Sequence, residues 1–154
     1  MISVETAKAR VLRLAPAGGG RLVYFAHSKR DYHSARAARA FEVVRAARPG
    51  GRVLNPSGFI ELWPVLVAAL GSQEAVYRLV VELCTEVFAL EHEGHIGRGV
   101  FAELVEAERL GLPRWVVRDE KVFPVAGVTT VDTTDYKVRY GRVMLDGGCA
   151  RAFK

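Results

Sequence analysis

Four short apolar runs, each followed by a polar stretch, constrain this chain more than any other feature. They are RLVYFA at 21–26, RVL at 52–54, EVFAL at 86–90 and RWVV at 114–117. Each is too short for a globular helix, and the near-continuous apolar character suits strands covered on both faces. Between them lie segments with helical spacing. Ala37, Phe41 and Val44 form one apolar stripe of a helix predicted over 32–48, with arginines elsewhere. A second helix is expected over 59–70, disturbed by Pro64, and a third over 73–83. A fourth carries Val100, Leu104 and Ala107 on one face, extended by Leu110 and broken at Gly111. Strand, polar loop and helix in repeated order predict a three-layer α/β fold, Rossmann-like or flavodoxin-like, with a mostly parallel sheet flanked by helices.

The two ends are less regular. Residues 1–20 read as a terminal extension ending in the loose joint PAGGG, and 21–154 as a single α/β domain. KVFPVAG (121–127) is expected to add a strand, and YKVRYGRVML (136–145) an edge strand or a carboxyl-terminal hairpin. A chain of 154 residues suits one compact domain that buries roughly 68% of its unfolded surface. The net charge of +5 is compatible with nucleic acid, an anionic surface or phosphate-bearing metabolites and selects none of them. Arg36, Arg39, Arg45 and Arg48 recur without an adjacent aromatic series for stacking bases, so a basic nucleic-acid-binding module stays open only as an alternative. Cys84 and Cys149 have neither ligand-pair spacing nor the density of a secreted disulfide framework. With no long apolar run, the expectation is a cytoplasmic protein without a membrane partner.

In parallel α/β sheets, chemistry gathers above the carboxyl ends of the strands, where loops meet helix amino termini. Two stretches qualify. In YFAHSKRD (24–31), Ser28, Lys29 and Arg30 offer a hydroxyl and two cations to an anion such as phosphate, with Asp31 expected as the helix N-cap. In EHEGHIGRGVFAE (91–103), Gly97 and Gly99 are expected to let a ligand approach the backbone closely. Neither stretch is a Walker loop or a dinucleotide fingerprint, so no cofactor is expected. His27 and His95 adjoin the two loops and are candidates for phosphate contact or proton transfer, with a structural role equally open. Together with His33 and His92 they form no zinc pattern, and no metal is expected. Glu103, near a helix amino terminus that favours its ionised form, can act as a nucleophile toward a sugar carbon. Tyr24, inside the first strand, is either a packing residue or the group that orients that carboxylate. Phe25, Trp63, Phe88, Phe101 and Trp115 read as packing residues.

Taken together, VYFAHSKR, RVLNP, CTEVFALEHEGHIGRGVFAELVEAERLGLP and RWVV resemble the nucleoside 2-deoxyribosyltransferase-like superfamily, including its nucleoside 5'-monophosphate N-glycosidase branch. The resemblance spans much of 21–117. It implies an α/β enzyme that cleaves the N-glycosidic bond of a nucleoside or nucleoside monophosphate, with transfer to another base or to water. The glutamate matching Glu103 would be the nucleophile, and the tyrosine matching Tyr24 would lie beside it. In the monophosphate branch, Ser28 and Arg30 match the phosphate-associated loop. The family also implies a homo-oligomer. Thr85 and Gly97 stand where family members often carry aspartates, and His27 where they carry a smaller residue. A catalytically inactive nucleotide-binding or protein-interaction domain is the main alternative.

Overall fold

The computed structural model describes residues 2–15, 20–27, 31–91, 95–125, 127–128, 142–146 and 149–152. In chain order these form α1 (Val4–Arg13), β1 (Leu22–Ala26), α2 (Ala35–Ala47), β2 (Arg52–Leu54), a 3-10 turn (Pro56–Phe59), α3 (Trp63–Leu70), α4 (Gln73–Glu82) and β3 (Glu86–Leu90). Then follow β4 (His95–Gly97), α5 (Arg98–Arg109), β5 (Arg114–Arg118), β6 (Lys121–Pro124), β7 (Gly127–Val128), β8 (Arg142–Asp146) and β9 (Cys149–Ala152).

The central sheet has the order β2-β1-β3-β5-β6. Its first four strands are parallel, and β6 returns antiparallel to β5 through a tight turn. Counted along the chain this is the 2-1-3-4-5 order of flavodoxin-like sheets, with the last strand reversed. Among the described residues five helices flank the sheet, giving the three-layer α/β architecture.

The apolar runs are continuous because both faces are covered, yet the two-residue pleat still divides each strand between two cores. Leu22, Tyr24 and Ala26 of β1, with Val87 and Ala89 of β3, join the core under α1, α3, α4 and α5. Val23 and Phe25, with Phe88 and Leu90, face the core under α2.

Several elements differ from the sequence reading. Residues 1–20 contain α1, whose Ala7 and Val11 are fully buried in the first core. Pro64 does not interrupt a long helix. It occupies the first turn of α3, where its missing N–H has no intrahelical partner to lose. Helix α2 starts at Ala35 rather than at 32, because Ser34 is its N-cap: the Ser34 hydroxyl accepts from Ala37 N at 3.0 Å. Asp31 therefore is not the cap; its carboxylate pairs with Arg36. Ser34→Ala should cost about 1 kcal/mol, read as a lower urea midpoint with an unchanged slope.

Leu110 is more than a third exposed and does not extend the buried face of α5. Residues 95–97, expected to be exit loop, form β4 in a second sheet of order β4-β8-β9-β7. There β8 and β9 pair antiparallel, and β4 joins β8. Of the stretch 136–145, residues 142–145 belong to β8, and residues 136–141 lie outside the described residues. Among the described residues no single helix is long and apolar enough to cross a membrane.

Candidate functional site

Helix α5 begins at Arg98 with Gly97 as N-cap, which makes Glu103 the sixth helical residue. Its neighbours Val100, Leu104 and Ala107 are buried in the core against the sheet, and Glu103 is carried into the protein with them. Only 5% of Glu103 is exposed. Tyr24, in the middle of β1 beside Val87 of β3, is equally enclosed. The tyrosine hydroxyl donates to the Glu103 carboxyl, while Glu103 Oε2 is buried with no partner among the described residues.

The expected ionised state of Glu103 is overturned by this burial. The attraction of a helix amino terminus fades beyond the first turn, and Glu103 is past it. Loss of solvation dominates and pushes its pKa up to about 8, against which the Tyr24 hydrogen bond pulls downward. At neutral pH the carboxyl is therefore mostly protonated. Burial, with the Glu103 charge second, raises the Tyr24 phenol as well. Cys84, buried just ahead of β3, is pushed up to about 12 by burial and then by Glu103, which keeps the thiol neutral.

Further aromatic groups collect around this pair. Tyr32 meets the His27 ring edge-on, with centroids 4.9 Å apart and planes at 77°. Its phenol is raised, first by burial and then by the charges of Glu103 and Tyr77. Tyr77 of α4 packs on Trp63 of α3 with ring centroids 5.3 Å apart. Gly99 lies beneath the Tyr77 hydroxyl, which would be 2.9 Å from any Cβ added there. The close approach expected at Gly99 is thus made by a side chain of the protein itself. Gly97 has ordinary extended backbone, φ −70°. The indole Nε1 of Trp63 is a second buried group without a partner among the described residues.

His27, immediately after β1, is buried and shares a 2.9 Å hydrogen bond with Asn55, immediately after β2. Asn55 Oδ1 also accepts from Ser57 N at 3.0 Å. An amide oxygen can only accept, so His27 Nε2 carries the proton. This bond ties together the carboxyl ends of two adjacent strands and explains a bulky residue at position 27. His95 enters the second sheet opposite Met144. Ser28 and Arg30 lie outside the described residues, as does His92. Among the described residues no group of His, Cys, Asp and Glu could hold a metal ion.

Two other buried carboxylates are accounted for by structure. Glu86, at the amino end of β3, accepts from Arg48 Nε and Nη2 and from Trp115 Nε1, each at 2.8 Å. It lies at the opposite end of the sheet from His27 and Asn55. Thr85, the neighbour that stands where the family often has aspartate, uses its hydroxyl to donate to Leu22 O at 3.2 Å. Glu91 is clamped by Arg118 through contacts of 2.7 to 2.9 Å. Its carbonyl accepts from Arg36, which also pairs with Asp31, so α2, β3 and β5 are joined at the sheet's carboxyl edge.

The structure therefore brings together Tyr24 and Glu103, sets Gly99, on the same helix as Glu103, against Tyr77, and packs His27 on Tyr32. Tyr32 and Tyr77 were not legible as site residues. Tyr32 follows a loop, and Tyr77 lies on a helix face that sequence reads simply as amphipathic. The glycine at 99, inside the first turn of a helix, was a trace of Tyr77 alone. Comparison with protein-family models, with curated proteins and with solved structures found no match to this chain.

Proposed function

We propose that this chain is an N-glycosidase or glycosyltransferase acting on nucleosides or nucleoside 5'-monophosphates, with Glu103 as its nucleophile. The reading is carried by one observation: Glu103 is buried against Tyr24 with its second oxygen unpartnered, on the helix where the sequence resemblance expects the nucleophile. A cytoplasmic setting, a homo-oligomeric assembly and a phosphate role for Ser28 and Arg30 belong to the same proposal.

In this reaction a Glu103 carboxylate oxygen attacks C1' of the sugar. The C–N bond breaks, and its electron pair leaves with the base, which takes up a proton. The resulting glycosyl ester is then opened at C1' by water or by a second base, and the carboxylate is regenerated. Tyr24 aligns the carboxyl through its hydrogen bond. Attack requires the ionised form, so kcat/KM should rise from pH 6 and level off above a midpoint near the Glu103 pKa of about 8.

Free-base release from a panel of nucleosides and their monophosphates tests the reading. Glu103→Gln should lower turnover by roughly 10³-fold or more. Wild-type turnover that survives the substitution, or that is fastest on the acid side, sinks the mechanism. The deep burial and neutral state of Glu103 favour a second reading, a nucleotide-binding protein without chemistry. Saturable mononucleotide binding with no base release across the panel would establish it.

A further inference from the structure

Among the described residues the buried carboxyls are Asp31, Glu86, Glu91, Glu103 and Glu106. Four of them are held by arginines: Asp31 by Arg36, Glu86 by Arg48, Glu91 by Arg118 and Glu106 by Arg109. Glu103 has no cation among those residues. Tyr24 serves one side of it, and Oε2 is buried without a partner. A carboxylate buried without a counter-charge is costly. The ionised form of Glu103, which is the form that attacks C1', therefore calls for a positive charge that the described residues do not supply.

The same residues also lack an acid for the leaving base. An ordinary neutral base must take up a proton as the C–N bond breaks. Glu103 cannot give it, because attack requires Glu103 to be ionised already. An arginine takes a carboxylate as its partner, so the four paired groups have no proton to give. His27 spends its Nε2 proton on Asn55, and the Thr85 hydroxyl donates to Leu22 O. Tyr24 and Tyr32 hold their protons more tightly than a free phenol, chiefly through burial, and so does the Cys84 thiol. The neighbours of this carboxyl are aromatic and uncharged. Gly99 stands one turn ahead of Glu103 on the same face of α5 and is covered by the Tyr77 hydroxyl, with Trp63 packed on Tyr77. Aromatic rings favour a cation. Gly99 and Tyr77 are partly exposed, which puts this turn of α5 within reach of solvent.

We propose that the substrates of this site are nucleosides whose base already carries a positive charge, a pyridinium or an N-alkylated purine, the ligand itself bringing the cation that Glu103 lacks. The proposal rests on the reading of Glu103 as nucleophile and narrows its substrate class. The cation enters as the Glu103 proton leaves to solvent. A carboxylate oxygen then bonds to C1', the C–N bond breaks, and its electron pair neutralises the ring nitrogen, so the base departs without taking up a proton. Water opens the ester at C1', releasing one proton and restoring the carboxylate.

Base release is compared for nicotinamide riboside, whose base is cationic, and for the neutral inosine and uridine, each with and without a 5'-phosphate. Charged glycosides break more readily on their own, so each kcat/KM is divided by the rate without protein. That ratio should be larger for nicotinamide riboside by roughly 10²-fold or more, the contribution of the general acid that a neutral base would need. Comparable ratios overturn the proposal and leave the glycosidase standing, since they would reveal a proton donor outside the described residues.

A second measurement needs no turnover. The full chain, labelled with carboxyl-13C glutamate, is titrated by NMR, and Glu103→Gln identifies the Glu103 signal. Excess 1-methylnicotinamide, a cation without a sugar, should lower the Glu103 midpoint by about one pH unit or more. Neutral nicotinamide at the same concentration should leave it in place. A midpoint that 1-methylnicotinamide does not lower overturns the proposal. If no nucleoside releases its base, the proposed reaction fails, and the titration still decides whether the site takes a cation.

Discussion

Glu86→Ala should lower the unfolding free energy by about 3–5 kcal/mol, enough to remove much of the stability of a domain this size. The substitution leaves Arg48, three-quarters buried, without its bidentate partner, and Trp115 Nε1 without its acceptor. Arg48 also lies over the rings of Phe88 and Trp115, at 5.2 and 5.3 Å, so it cannot move into solvent without giving up those contacts. Replacing both members together, Glu86→Leu with Arg48→Met, should recover most of the loss, because the cost lies in stranding one charge rather than in losing the pair. Denaturant unfolding of the single and double variants checks this. A single variant within about 0.5 kcal/mol of wild type would show that the pair contributes little. The proposed base release should be preserved in whatever fraction stays folded, since Glu86 faces the core under α2 and Tyr24 faces the opposite core.

The second large effect is a pH dependence of stability centred on Glu103. Its pKa is about 8 in the folded protein against 4.5 for the free group. Between those values the folded state holds a proton that the unfolded state has released, so unfolding becomes easier as pH rises. The stabilisation is complete below pH 4.5 and is lost progressively as pH climbs through about 8. From pH 5 to pH 8 the loss from this group is about 3 kcal/mol. Glu103→Gln, which preserves shape and can still meet Tyr24, should flatten that decline and be more stable than wild type at pH 8. Chemical denaturation at a series of pH values measures both slopes, and parallel curves for wild type and variant would contradict the burial argument. Under the proposed mechanism the same substitution stabilises the fold while lowering base release by roughly 10³-fold or more, a pairing typical of a group kept for its chemistry rather than its packing.

The fold was largely legible because its signals are local. RLVYFA, EVFAL and RWVV became β1, β3 and β5 almost residue for residue. A buried parallel strand needs little more than a short β-compatible apolar run with a turn after it. The misreadings came where one residue type serves two purposes. Pro64 reads equally as a breaker or as a first-turn residue, and only the helix start separates them. Asp31 and Ser34 are both good caps three residues apart. Arg36, by pairing with Asp31, left the position to Ser34. HIG at 95–97 has too few residues to reveal a strand, and its partner β8 begins more than forty residues later.

The site divides along the same line. From sequence came the scaffold, while Tyr24 and Glu103 were singled out as a pair by the family resemblance, since by residue pattern alone Tyr24 reads as a packing residue and Glu103 as one helix carboxylate among several. Tertiary structure decided the chemistry of that pair. Helix position predicted an ionised Glu103, but packing of α5 on the sheet removed its water, and desolvation outweighed a dipole that acts only over the first turn. The same packing gave Gly99 its reason in the Tyr77 hydroxyl and gave His27 its proton position in Asn55. Solvent exclusion and long-range hydrogen bonding belong to pairs of residues far apart in the chain, so no local pattern of residues could have carried them.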